Sequence, residues 1–140
     1  MSETLANFNV FQFASEQSPV RFEETIIVKE GVICDVYKIE GDDTKDLAIV
    51  TVAPREKTPL QKVLKGLKTL EGYKSGEGSL TITRANGQLE TYSYDNNEPA
   101  EPILVNIGDV MQWQAGNELV FYEICQPPYE DGRYENLEEN

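Results

Sequence analysis

From Phe8 onward, apolar positions recur mostly at every second residue or gather in short runs rich in β-branched and aromatic side chains. That period belongs to strands whose faces alternate between core and solvent. Arg21 to Lys29 (RFEETIIVK) ends at Glu30-Gly31, Val32 to Glu40 (VICDVYKIE) at Gly41-Asp42-Asp43, and Leu47 to Ala53 (LAIVTVA) at Pro54. Three strands joined by hairpin-type turns follow. Gly78 to Arg84, Ala85-Asn86-Gly87 and Gln88 to Tyr94 read as another hairpin, because Asn-Gly tolerates the positive φ angles of a tight turn. Ile103 to Ile107, a Gly108-Asp109 turn, Val110 to Gln114 and Glu118 to Cys125 supply the later strands. Pro127-Pro128 then ends pairing by removing two backbone donors. About ten short antiparallel strands fit a closed all-β jelly roll better than an open sheet with many edges.

The segment after Pro54 carries a competing signal. Thr58-Pro59-Leu60-Gln61 has the form of a helix start, with Thr as cap and Pro at the first helical position, and Leu60, Val63, Leu64 and Leu67 follow at helical spacing. Gly66 would sit inside that helix at a cost of roughly 1 kcal/mol relative to Ala. Strand signals flank the segment on both sides, so it is assigned to the sheet.

The chain has 140 residues, the size of one domain, and its 39% hydrophobic content can build a core without disulfides. The expected division is one domain over 1–140, with a barrel core at about 20–126, an N-terminal arm at 1–19 and an acidic tail at 127–140 that frays after Leu137. Twelve Lys and Arg against 25 Asp and Glu give a net charge of −13, which repels phosphate backbones and anionic lipid surfaces. Nucleic acid and membrane are therefore not expected partners. With no basic start leading into an apolar run, the protein is expected to be cytoplasmic. Cys34 and Cys125 stand far apart in apolar surroundings and are expected to be buried free thiols. There is no histidine, which excludes Ser-His-Asp, Cys-His and imidazole-metal chemistry.

Against this background the second half resembles the cupins, small jelly-roll barrels of the double-stranded β-helix type, whose two motifs place three His and one Glu around a metal. Gly108-Asp109-Val110-Met111-Gln112-Trp113-Gln114-Ala115-Gly116 keeps the glycine spacing of the second motif, and Glu71 followed six residues later by Gly78 matches the close of the first. Gln114 stands where Pro is usual, Leu119 where the ligand His is usual and Glu123 where Asn is usual. The first two His positions map to Gln61 and Val63, or alternatively to Lys65 and Leu67. The resemblance implies a barrel that lacks its metal-binding histidines, with no metal and no cofactor. It also implies a homodimer, because small jelly rolls of this kind often pair through strand edges.

If the resemblance holds, strand alternation puts Leu119, Phe121 and Glu123 on one face and Tyr73 with Glu71, so these line the barrel together with Gln61, Val63 and Trp113. Either side chains fill the interior, leaving Glu71 and Glu123 at a wet rim, or it is a ligand pocket with Trp113 available to stack on a ring. Between Arg55 and Lys74 six basic residues face two acidic ones, so Lys62, Lys65 and Lys68 could form a rim for an anion or an acidic partner. Non-catalytic binding of a small molecule or a partner is the leading expectation. An isomerase or hydrolase using Glu71 and Glu123, with Tyr73 or Tyr122 as proton donor, and a purely structural interaction module are the alternatives. Elemental analysis of the gently purified protein is expected to find Fe, Mn, Ni and Zn each well below one equivalent; a stoichiometric metal would contradict the loss of the imidazole ligands.

Overall fold

The computed structural model describes residues 10–13 and 16–137, with side chains from residue 19 onward. Ten strands run through them: β1 (Val10–Phe13), β2 (Glu16–Lys29), β3 (Val32–Ile39), β4 (Asp42–Val52), β5 (Leu60–Val63), β6 (Lys68–Thr83), β7 (Leu89–Tyr94), β8 (Ile103–Val105), β9 (Val110–Gln126) and β10 (Tyr134–Leu137). All pairings are antiparallel, and no helix occurs among the described residues. The predicted hairpins β2–β3, β3–β4 and β6–β7 are present. Within Thr58 to Leu67 only Leu60–Val63 joins the sheet, as β5, and the rest is loop. Only Val63 of the segment's four apolar residues is fully buried, while Leu64 and Leu67 are exposed, so the helical spacing has no core to face.

The long strand β9 organises the barrel. Along one side it pairs with β6 over its whole length, and along the other it pairs first with β5, at Val110 and Met111, and then with β4, from Leu119 to Cys125. Changing partners midway bends the strand and curls the sheet on itself. Gly76 sits on β6 opposite this bend with φ +89°, and a side chain there would strike the Glu118 carbonyl. At the start of β9, Gly108 takes φ +93° and donates its N–H to the Val63 carbonyl at 2.8 Å, which fixes the turn that sequence reading assigned to Gly108-Asp109.

Alternation along the strands divides the buried residues into two clusters. Val32, Val50, Val52, Leu80, Ile82, Trp113, Leu119 and Phe121 fill the interior of the curl, and Tyr37, Leu47, Ile49, Tyr122 and Ile124 pack on the opposite face of β3, β4 and β9. At the open side, β2 pairs with β3 from Val20 to Lys29, but no described strand pairs with the outer edge of Arg21 to Lys29. Register irregularities interrupt that stretch between Phe22 and Glu24 and between Ile27 and Lys29.

The acidic tail adds a strand to the sheet. The chain leaves β9 at Gln126 and returns as β10, antiparallel to β5, with Tyr134 opposite Val63 and Leu137 opposite Leu60. Arg133 anchors the return. It is 1% exposed, and its guanidinium donates to the carbonyls of Pro127 at 3.0 Å and Lys68 at 2.7 Å and to the Thr69 hydroxyl at 2.9 Å. Any fraying beyond Leu137 lies outside the described residues. Replacing Arg133 with Met is expected to lower the unfolding free energy by about 2–4 kcal/mol in urea titrations, because several buried carbonyls lose their donor; an unchanged midpoint would show that the return does not depend on this side chain.

Candidate functional site

The ladder between β6 and β9 sets Glu71 directly opposite Glu123, and antiparallel pairing points both side chains into the barrel. Glu71 is 1% exposed and Glu123 is partly buried. Glu71 Oε1 accepts the Trp113 indole N–H at 2.8 Å, and Oε2 has no other donor. Burial, then the negative charge of Glu123, pushes the Glu71 carboxyl well above the usual range. Oε2 has no hydrogen-bond partner, so the proton that burial favours is the one group Glu71 can offer toward Glu123 across the ladder. Glu123 Oε1 also accepts the Tyr134 hydroxyl at 2.9 Å and the Cys125 thiol at 3.5 Å. Burial, with Glu123 next, raises both Tyr134 and Cys125, so each stays protonated and donates.

Trp113 is held from three sides. Its backbone N–H donates to Thr58 Oγ1 at 3.0 Å, its carbonyl accepts the Thr58 N–H at 2.9 Å, and its ring stacks on Phe121 with centroids 4.5 Å apart. The stack continues through Tyr94, 5.7 Å from Trp113, to Tyr73, 4.7 Å beyond. This aromatic column fills the interior from the middle of β9 toward the β6–β7 hairpin. The Tyr73 hydroxyl lies at its far end, donating to the Gly76 carbonyl at 2.5 Å and accepting the Asn97 N–H at 3.0 Å.

At the other end the barrel opens into a cavity of about 670 Å³. Ile26, Val28, Val32, Val50 and Phe121 form apolar walls, and the polar groups include Glu24, Asp46, Gln61, Glu123, Cys125, Asp131, Tyr134 and Asn136. Asp46 accepts the Tyr129 backbone N–H at 3.0 Å, while burial raises its carboxyl. Cys34 also lines this space; burial and then Glu123 push its thiol up to about 12, so it is not a nucleophile at neutral pH.

Among the residues singled out from sequence, Gln61, Phe121 and Glu123 line the cavity, whereas Val63, Tyr73, Trp113 and Leu119 are core. Glu71 is not at a wet rim; the ladder buries it behind Glu123. Tyr122 follows Phe121 by one residue and therefore faces the opposite side of β9, away from both carboxyls. Lys62, Lys65 and Lys68 lie outside the cavity lining. Lys65 pairs with Glu130 at 3.2 Å, and Lys62 stands opposite Glu135 on β10. Sequence reading missed Tyr134, Asp46 and Arg133, and it took Cys34 and Cys125 as buried free thiols without placing them at the cavity; both are free, Cys125 buried and Cys34 partly so. Tyr134 and Arg133 arrive with β10, whose only sequence signal is Tyr134 and Leu137 bracketing two polar residues.

A metal of the kind cupins carry does not fit these residues. Glu71 is committed to Trp113 and Glu123, Leu119 offers no donor atom, and no group of three or more His, Cys, Asp or Glu able to hold a metal occurs among the described residues.

No protein-family profile matches the chain, and no curated protein matches it by sequence. Solved structures do match. Oxalate decarboxylase from Bacillus subtilis, studied for its Mn(II) centres, superposes with a TM-score of 0.66 and 20% identity over 81% of this chain and 30% of its own. The capsular polysaccharide assembling protein CapF from Staphylococcus aureus superposes with a TM-score of 0.65 and 12% identity over 86% of this chain and 35% of its own. The chain thus spans about a third of the length of either protein. Both have the cupin fold, and the all-β curled sheet described here is the same jelly roll.

Because the folded state raises the Glu71 carboxyl above its unfolded value near 4.5, this group favours folding below that value, and the contribution is lost as pH rises toward the folded-state pKa. Glu71→Gln keeps an acceptor for Trp113 and a donor for Glu123 without the ionisation. Its melting temperature is expected to exceed that of the parent at pH 8 and to converge with it near pH 4. A parent stability that does not decline relative to the variant over that range would contradict a protonated Glu71.

Proposed function

We propose that this protein binds a small molecule in the barrel mouth without a metal and without transforming it. The observation that supports this reading is the cavity of about 670 Å³, within the range of small-molecule sites, whose apolar walls surround a few polar groups converging at Glu123. The barrel is filled by its own side chains only on the Trp113 and Leu80 side. Glu123 and Tyr134 hold each other in place, which suits recognition of a polar group on an otherwise apolar ligand.

A second reading, proton-transfer catalysis, draws support from the juxtaposition of a carboxylate at the cavity floor with the acid behind it. Tyr134, bonded to Glu123, replaces Tyr73 and Tyr122 as the donor in that scheme. Deuterium incorporation next to the carbonyl of a bound ketone would distinguish catalysis from simple binding.

Ala48 lies on β4 opposite Glu123 and faces the cavity, so Ala48→Phe plugs it. Fragments that raise the melting temperature of the parent protein are expected to bind the plugged variant about tenfold or more weakly, the scale of overfilling a packed site. Stabilisation that persists undiminished would place binding elsewhere.

A further inference from the structure

We infer that the barrel mouth selects an organic cation, an ammonium group on an apolar or aromatic body, with Glu123 as its counter-ion. The inference rests on the small-molecule reading above and specifies the ligand class for the same cavity. Its lining includes Glu24, Asp46, Glu123 and Asp131 and, among the described residues, no lysine or arginine. A second hollow of about 570 Å³ at the β3–β4 turn shows the contrast. It shares Glu24, Asp46 and Tyr129 with the mouth, but Arg21, Lys38 and Lys45 also line it, with Lys38 ion-paired to Glu23 at 3.8 Å and Lys45 to Asp42 at 3.9 Å. Arg133 is close enough to influence Asp46 and Cys125, yet it does not line the mouth, and its two terminal nitrogens are engaged by carbonyls and Thr69.

Acidic groups alone would attract any cation, including hydrated metal ions; the rest of the cavity favours an organic one. Phe121, Tyr129 and Tyr134 border the space, the last two stacked with centroids 5.9 Å apart, and aromatic faces attract a positive charge that has shed part of its water. Ile26, Val28 and Val50 give the ligand body an apolar wall. Behind the floor, Glu71 is buried with one oxygen that no other donor reaches, turned toward Glu123. Burial and the charge of Glu123 favour the neutral form of Glu71, so the pair does not present two full negative charges to the cavity. An anionic ligand would instead meet four acidic side chains at reduced dielectric.

Trp113 is the only tryptophan in the chain, and it touches both Phe121 and Glu71, so its emission reports on the cavity floor. Benzylamine, benzyl alcohol and benzoate, alike in ring and differing in charge, are titrated separately at neutral pH against the intact chain while Trp113 fluorescence is followed. Benzylamine is expected to bind about tenfold or more tightly than benzyl alcohol, the value of a charged contact in a partly desolvated site, with benzoate weakest. Glu123→Gln is expected to remove that preference, and the parent protein's ranking of the three probes tests the inference even where the variant folds poorly. Equal binding of benzylamine and benzyl alcohol would overturn the cation assignment and leave the small-molecule reading standing. Tighter binding of benzoate would also overturn it. Failure of all three to bind would count against both.

Discussion

Two carboxyl groups placed directly across an antiparallel ladder repel each other unless one keeps its proton, and the interior of this barrel is arranged around that constraint. Glu71 is the member that can stay neutral, because it is cut off from water and receives only the Trp113 N–H. Glu123 is the member that can carry charge, because it reaches the cavity and is supported by Tyr134 and Cys125. The asymmetry of burial thus converts a symmetric pair of residues into a donor and an acceptor. A positive group would complete the arrangement from the cavity side, and none of the lining residues supplies it.

Much of this architecture was legible in the sequence. Two-residue alternation gave the strands, and Asn86-Gly87 gave a hairpin whose register runs from Thr83 opposite Leu89 to Gly78 opposite Tyr94. The glycine spacing around Trp113 and the interval from Glu71 to Gly78 pointed to the barrel. The same alternation put Glu71 and Glu123 on inward faces, but it could not give their depth, which depends on how far β9 curls. What remained hidden depends on long-range return of the chain. A four-residue strand such as β10 has too few positions to show a period, and a buried Arg133 next to Gly132 reads locally as a solvated turn. The tail read only as an acidic segment outside the barrel core because its acidic residues face solvent, whereas Arg133 is buried and Tyr134 partly so.

The aromatic column separates the two ends of the barrel. Tyr73, Tyr94, Trp113 and Phe121 occupy the space toward the β6–β7 hairpin, so a ligand entering from the mouth meets the Phe121 ring and Glu123 before it could reach Trp113. Sequence reading treated Trp113 as a possible stacking surface for such a ligand. Its ring faces are taken by Phe121 and Tyr94, and its N–H by Glu71, so its part is to hold the floor in position. Thr58, just before β5, fixes the tryptophan backbone, which ties the floor to the segment that resembled a helix start.

The outer edge of β2 bears on colloidal behaviour. Among the described residues no strand meets the backbone donors and acceptors along Arg21 to Lys29, beside Ile26, Ile27 and Val28, and an edge of that kind is the raw material of edge-to-edge stacking into fibrils. Arg21, Glu23, Glu24 and Lys29 place charge along that edge, and two breaks in register keep it from lying flat. A foreign strand docking there would have to bury those charges and straighten those kinks, so this margin is a poor template for growth.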